Sequence, residues 1–242
     1  MHRREFLGRA GAIGTGAAVA ATALTTAAPA HAAAAPRTAE NPLRVQIVMF
    51  DGVEEQDFAG PYEVFSLAGR LSSGAVRASY VTADRPRSIV AAFGTTVRVT
   101  NGWDPYAADL IVVPGGGFGR RDSPGIWPEI EKGTLPRALA AAARPGLTIS
   151  SLCTGAILLA AAGLTTGRPC TTHSGAKAEL TARGGVVKNA RVVDDGDLVT
   201  SAGITSGLDL ALHLVKREIG SDVAVRVEEV LEYQARGTVW TR

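Results

Sequence analysis

Leu147-Thr-Ile-Ser-Ser-Leu-Cys153-Thr-Gly-Ala156 decides how this chain is read. Leu147 to Ser150 has the length and apolar character of a strand buried in a sheet. Thr154 to Ala162 is small and apolar, and reads as a helix. Ser151-Leu-Cys-Thr-Gly155 therefore passes from strand to helix with almost no connecting loop. That is the context of a nucleophile elbow, with cysteine as the nucleophile. A sharp turn there lifts the thiol out of the sheet edge. The helix start behind it favours thiolate by ~0.3–1 kcal/mol, and thiolate is the reactive form. The competing reading is a buried, inert cysteine of the kind common in apolar cores.

The same alternation extends in both directions. Leu43 to Phe50 reads as a strand ending in the turn Asp51-Gly52, and a helix is expected from Gly60-Pro61 to about Leu71. Val76 to Thr82 is a second strand, and Ile89 to Thr100 reads as a hairpin around Gly94. Asp109 to Pro114 is almost wholly apolar and leads into Gly115-Gly-Gly117. Helices are expected over Trp127–Ala143, Gly175–Arg183, Ser206–Ile219 and Ser221–Gln234, with short strands at Val186–Val187, Arg191–Val193 and Leu198–Ser201. Strands alternating with helices predict an α/β, doubly wound, mainly parallel sheet flanked by helices, as one domain over residues 43–242. Such sheets bind ligands beyond the carboxyl ends of their central strands. Asp51–Gly60, Gly115–Gly119 and Ser151–Gly155 leave strands at that edge, so the chemistry is expected where they converge.

The amino terminus has a different character. Arg3-Arg-Glu-Phe-Leu7 precedes a stretch from Ala10 to Pro36 without Lys, Arg, Asp or Glu, and Ala30-His-Ala32 has the form of a cleavage site. Residues 1–32 are expected to be a twin-arginine export signal, read by the twin-arginine translocation machinery, with the mature protein periplasmic or extracellular. A retained signal would instead anchor the chain to the membrane. Residues 33–42 form an Ala/Pro linker expected to be disordered. The whole chain carries 25 basic and 23 acidic residues. Cleavage removes Arg3, Arg4, Arg9 and Glu5, so the formal excess of +2 belongs wholly to the signal. A balanced domain has no general basic field, and no nucleic-acid partner is expected. At 46% hydrophobic and 20% charged, the chain is too apolar for intrinsic disorder.

Few residues remain to carry chemistry. His2 and His31 leave with the signal, so a mature chain offers Cys153, Cys170, His173 and His213. His213 lies in the apolar run Leu210–Val215 and reads as a satisfied core histidine. His173 follows Thr171-Thr172 and is placed to reach a pocket as a substrate-binding residue. Neither stands at metal-ligand spacing, so no metal is expected. Cys170 is expected to be structural; a disulfide to Cys153 would silence the nucleophile. Gly116 and Gly117 permit close backbone approach, and the amides of Gly116 and Thr154 are candidates for an oxyanion pocket. Glu54-Glu-Gln-Asp57 follows the first strand. Asp57 is the preferred partner for the thiol, because Phe58 and the following helix place it at the sheet edge; partly buried there, it would tend to keep its proton and could donate it to a thiolate. A capping role for this acidic turn is the alternative.

Taken together, Asp51-Gly52, Asp57-Phe-Ala-Gly-Pro-Tyr-Glu-Val-Phe65, Val113-Pro-Gly-Gly116, Ser151-Leu-Cys-Thr-Gly-Ala156, Ala162-Gly-Leu-Thr-Thr-Gly-Arg168, Thr171-Thr-His173 and Ser201-Ala-Gly-Ile-Thr-Ser-Gly-Leu-Asp209 resemble the DJ-1/PfpI superfamily. The resemblance implies a flavodoxin-like, class I glutamine amidotransferase-like fold and a homodimer. It places Cys153 on the family's nucleophile and Asp57 on its acidic partner. Cys-Thr-Gly is similar to isonitrile hydratases and to the sensor domains of AraC-type regulators. Protease-like and glyoxalase-like members carry His after the nucleophile, where this chain has Thr154. Amidotransferases need a downstream His-x-Glu, which neither His173 nor His213 provides. Ser174 stands where relatives often carry Trp, which affects pocket size. The implied function is a cofactor-free, exported isonitrile hydratase-like lyase using Cys153, Asp57 and Thr154. The alternative is a ligand- or redox-sensing module without turnover.

Overall fold

The computed structural model describes residues 36–242. The signal and cleavage site expected over residues 1–32 lie outside the described residues. Of the expected linker, residues 36–42 are not loose. Arg37 bonds Asp109 at 3.3 Å, and the carbonyl of Ala39 accepts from Arg77 at 3.0 Å. Ion pairing along the sheet edge thus overrides the Ala/Pro composition.

The elements in chain order are β1 (Leu43–Val48), α1 (Glu55–Leu71), β2 (Val76–Thr82), β3 (Arg87–Val90), β4 (Thr96–Val99), β5 (Asn101–Gly102) and β6 (Leu110–Val113). They continue with α2 (Ile126–Lys132), α3 (Thr134–Ala142), β7 (Thr148–Ser151), α4 (Gly155–Ala161), β8 (Pro169–Cys170), α5 (Lys177–Ala182) and β9 (Val186–Val187). β10 (Val192–Asp194), β11 (Leu198–Ser201), α6 (Ser206–Glu218), α7 (Ser221–Leu231) and β12 (Val239–Thr241) complete the chain. Eight strands form the central sheet in the order β12-β10-β11-β7-β6-β1-β2-β5. Every pairing in it is parallel except β10 with β11. The doubly wound α/β architecture is therefore as expected. The apolar run Leu110–Val113 is buried throughout because β6 is a central strand. β3 and β4 form the anticipated antiparallel hairpin. No described helix is long and apolar enough to cross a membrane.

Two boundaries differ in ways that matter for the site. α1 begins at Glu55 rather than at Gly60-Pro61. Glu54 is extended and its carboxylate accepts the Asp57 N–H at 3.0 Å, so the acidic run caps and opens the helix instead of preceding it. Pro61 sits inside the helix, and the carbonyl its missing N–H leaves without an i−4 donor is that of Asp57. The helix expected over Trp127–Ala143 is two, α2 and α3. Gly133 between them adopts φ +70°, which a right-handed helix cannot continue through. β12 was not expected; three residues give too short a pattern to read, and they are ordered by parallel pairing to β10.

Candidate active site

The three expected segments do converge at the carboxyl edge of β1, β6 and β7. Cys153 follows β7 and takes φ +51°, a left-handed conformation that costs a side-chain-bearing residue about 1–2 kcal/mol. Neighbouring backbone pays for it. The Cys153 N–H donates to Ala202 O at 2.7 Å, and its carbonyl accepts from Thr172 Oγ1 at 2.7 Å and from the His173 N–H at 3.2 Å. Gly155 lets the elbow close on β6: a Cβ there would lie 2.1 Å from the Val113 carbonyl oxygen. The sequence signal for an elbow therefore corresponds to a strained turn held on both sides.

Asp57 comes from the first turn of α1 and is fully buried. Its Oδ2 accepts the Gly115 N–H at 2.8 Å. The other oxygen, Oδ1, has no partner of regular hydrogen-bond geometry. The carboxyl and the Cys153 thiol nonetheless perturb each other's ionisation. Burial is the main cause that pushes Asp57 up to about 8, opposed by the Gly115 N–H and assisted by the charge of Glu54. Burial also leads in pushing the Cys153 thiol up to about 12, followed by the charge of Asp57. Near neutral pH the pair is thus a carboxylic acid beside a thiol. This corrects the expectation that the helix start favours thiolate. Cys153 is 6% exposed, and the dipole of a helix only seven residues long is outweighed by desolvation and the facing carboxyl.

The oxyanion assignment also changes. The Gly116 N–H is already bonded, donating to Thr154 Oγ1 at 3.1 Å, and the Gly115 N–H is spent on Asp57. The N–H groups that act on the sulfur are those of Ile204 and Thr154. Ile204 follows β11 and was not singled out, because a main-chain donor leaves no mark in side-chain type. It does fall within the Ser201–Asp209 motif. Gly116 instead positions Thr154. The Thr154 hydroxyl, having accepted from Gly116, keeps its own proton for donation. Gly117 turns away and lines, with Phe93, Phe118 and Arg120, a cavity of about 710 Å³ that does not include Cys153.

His173 stands at the rim, half-buried, with its ring packed over Gly203, where a Cβ would meet its Cδ2 at 2.5 Å. Its Nδ1 accepts the Gly175 N–H at 3.1 Å, so in the neutral ring the proton sits on Nε2. In that tautomer His173 is a donor, not a base. His213 is satisfied as expected, though by a carboxylate: its Nε2 lies 2.7 Å from Asp194 Oδ2. Cys170 is buried, and burial pushes its thiol up to about 11. Both cysteines are free, so no disulfide ties up Cys153. Among the described residues, no group of three or more His, Cys, Asp or Glu is arranged to hold a metal.

The sequence profile of the DJ-1/PfpI family matches residues 43–217. The chain belongs to the DJ-1/PfpI family. Among its family relatives is isonitrile hydratase from Pseudomonas putida, 32% identical over 192 residues that cover 79% of this chain and 78% of that protein. Parkinson disease protein 7 homolog from Danio rerio is 30% identical, covering 78% of this chain and 96% of its own length. The crystal structure of an AraC family transcriptional regulator from Pseudomonas putida superposes with a TM-score of 0.67 at 26% identity, covering 78% of this chain and 100% of that one. These DJ-1/PfpI relatives include an enzyme and a regulator on the same fold, so fold alone does not assign an activity.

Proposed function

We propose that this protein is an isonitrile hydratase-like lyase that hydrates a small isonitrile to an N-substituted formamide. The observation that carries the reading is the pairing of a strained-elbow thiol with a buried, protonated carboxyl, followed directly by Thr154. The 32% identity to isonitrile hydratase supports it.

The terminal carbon of an isonitrile is electrophilic towards a thiol when a proton is delivered to that same carbon. Cys153 Sγ bonds to the carbon while the Asp57 acid gives it a proton, and the thiol proton passes to Asp57. The product is an S-linked thioimidate. Asp57, again an acid, then gives its proton to the imidate nitrogen while a water molecule held by the Thr154 hydroxyl adds its oxygen to the same carbon and returns a proton to the Asp57 carboxylate. Loss of Cys153 from the tetrahedral adduct breaks the C–S bond and releases the formamide with the thiol restored. The Thr154 and Ile204 amides stabilise sulfur as charge develops on it; loss of one such donor typically costs ~10²–10³ in rate. The cycle needs only water. We propose further that the chain acts as a homodimer after twin-arginine export.

The test is formamide production from cyclohexyl isocyanide by the wild type and by Cys153→Ala. No product from the wild type, or equal rates for the two, defeats the reading. A second reading, a sensing module without turnover, draws support from the regulator-like structure. Mild peroxide followed by mass spectrometry separates the two, since selective Cys153 oxidation without turnover belongs to sensing.

A further inference from the structure

The main-chain donors that face the sulfur depend on how the peptide planes of the elbow are turned. A trans peptide carries its C=O and its N–H on opposite sides of one rigid plane. The carbonyl of Cys153 and the N–H of Thr154 belong to the same plane. Whatever grips that carbonyl therefore also aims the N–H, which acts on the sulfur. The grip comes from outside the elbow. Thr172, fully buried after β8, donates its hydroxyl to the Cys153 carbonyl at 2.7 Å, and the His173 N–H reaches the same oxygen at 3.2 Å. The first is an ordinary length for a hydroxyl donor, whereas the second is at the long limit for an N–H. The segment carrying Thr172 is itself held by β11. The Thr171 N–H donates to Thr200 Oγ1 at 2.8 Å, and both threonines are fully buried. The preceding plane is anchored just past the same strand, where the Cys153 N–H donates to Ala202 O at 2.7 Å. A turn at φ +51° keeps its planes only while its surroundings fix them. One plane of this turn is fixed by main chain alone; the other has a side chain, Thr172, as its shorter bond.

We propose that Thr172 is a positioning residue, which aims the Thr154 N–H at the Cys153 sulfur and thereby sets the reactivity of the thiol. It acts through the peptide between Cys153 and Thr154. Without the hydroxyl, the Cys153 carbonyl keeps only its long bond to the His173 N–H, and the plane is free to turn. The Thr154 N–H then leaves the sulfur, where negative charge gathers during attack. Valine has the shape of threonine without its donor, and serine has the donor without its methyl group, so the pair isolates the hydroxyl. The consequence for turnover rests on the hydratase reading; the consequence for the thiol does not.

The test compares wild type, Thr172→Val and Thr172→Ser, each as the full chain, in two assays. The first is slow alkylation by excess iodoacetamide at about pH 9, followed at each cysteine by mass spectrometry. Loss of a donor leaves less thiolate, though each thiolate is more nucleophilic. Cys153 of the Val variant is therefore expected to react about threefold more slowly than in wild type, and that of the Ser variant at the wild-type rate. Cys170 is fully buried, so its alkylation reports opening of the fold. A merely structural role for Thr172 would speed both cysteines together. The second assay is formamide production from cyclohexyl isocyanide. Thr172→Val is expected to lower kcat about tenfold or more with KM little changed, and Thr172→Ser to restore it. Unchanged or faster alkylation of Cys153, once the opening reported by Cys170 is subtracted, overturns the proposal. So does an unchanged kcat in the Val variant of an active enzyme, or a Ser variant that behaves like Val. Absence of formamide from the wild type defeats the hydratase reading alone, and alkylation still decides the role of Thr172. If Thr172→Val does not fold, Thr172→Ala carries both assays.

Discussion

Replacing Asp57 by Asn tests the protonated carboxyl directly, and without any substrate. Asn keeps the shape. Its carbonyl can accept from Gly115, and its amide N–H takes the place of the acid's O–H towards the thiol. The native carboxyl is pushed up to about 8, chiefly by burial, whereas an unfolded aspartate titrates at about 3.9. Below about pH 4 both states are protonated and nothing is lost. Between about 4 and about 8 the unfolded chain releases the proton and the native chain does not. Wild-type stability therefore falls by about 1.4 kcal/mol per pH unit in that window. From about pH 5 to about pH 8 the loss is about 4 kcal/mol at most, a large share of a typical domain's stability. Asp57→Asn lacks this loss. Urea unfolding of both proteins at several pH values up to about 8.5 reads the difference, and ionisation of the unfolded Cys153 thiol at about 8.5 is common to the two. The variant's advantage is expected to grow steadily with pH and then level off. A difference independent of pH across this window refutes a protonated Asp57.

Three further outcomes follow from the packing of the elbow. Thr154→Val removes the hydroxyl that accepts the buried Gly116 N–H; a loss of about 1–3 kcal/mol is expected in chemical denaturation, with Thr154→Ser close to wild type. Gly155→Ala places a Cβ 2.1 Å from the Val113 carbonyl oxygen, so β6 and the elbow must part; a loss of about 1–3 kcal/mol or more is expected, together with loss of formamide production. Cys153→Gly is expected to be more stable than Cys153→Ala by about 1 kcal/mol in the same assay, because only glycine takes φ +51° freely.

The parts of the fold that were legible are those governed by burial. Leu110–Val113 and Leu147–Ser150 read as buried strands because both faces of a central parallel strand are covered, and the elbow was visible where one ran straight into a small-residue helix. Asp57 was legible because Phe58 and the helix that follows place it at the sheet edge. The start of α1 was not, since Glu54-Glu-Gln-Asp57 reads equally as a polar turn, and a cap depends on where one carboxylate points. Gly133 broke a helix that composition continued, because the sign of φ is not written in a lone glycine. The Ile204 amide and the fate of the Gly116 amide stayed hidden for a related reason. Each is a main-chain group whose partner lies far along the chain; Thr154 is 38 residues from Gly116.

The burial of both cysteines gives the protein a silent native state towards thiol reagents. The chain has only two sulfhydryls, and folding pushes Cys153 up to about 12 and Cys170 up to about 11. An unfolded cysteine titrates near 8.5 and labels readily in mild base. Uptake of a maleimide at about pH 8 is thus expected to be much faster for unfolded molecules than for folded ones. The two thiols form a tally of folding that needs no engineered probe, and it can be taken on either side of a membrane.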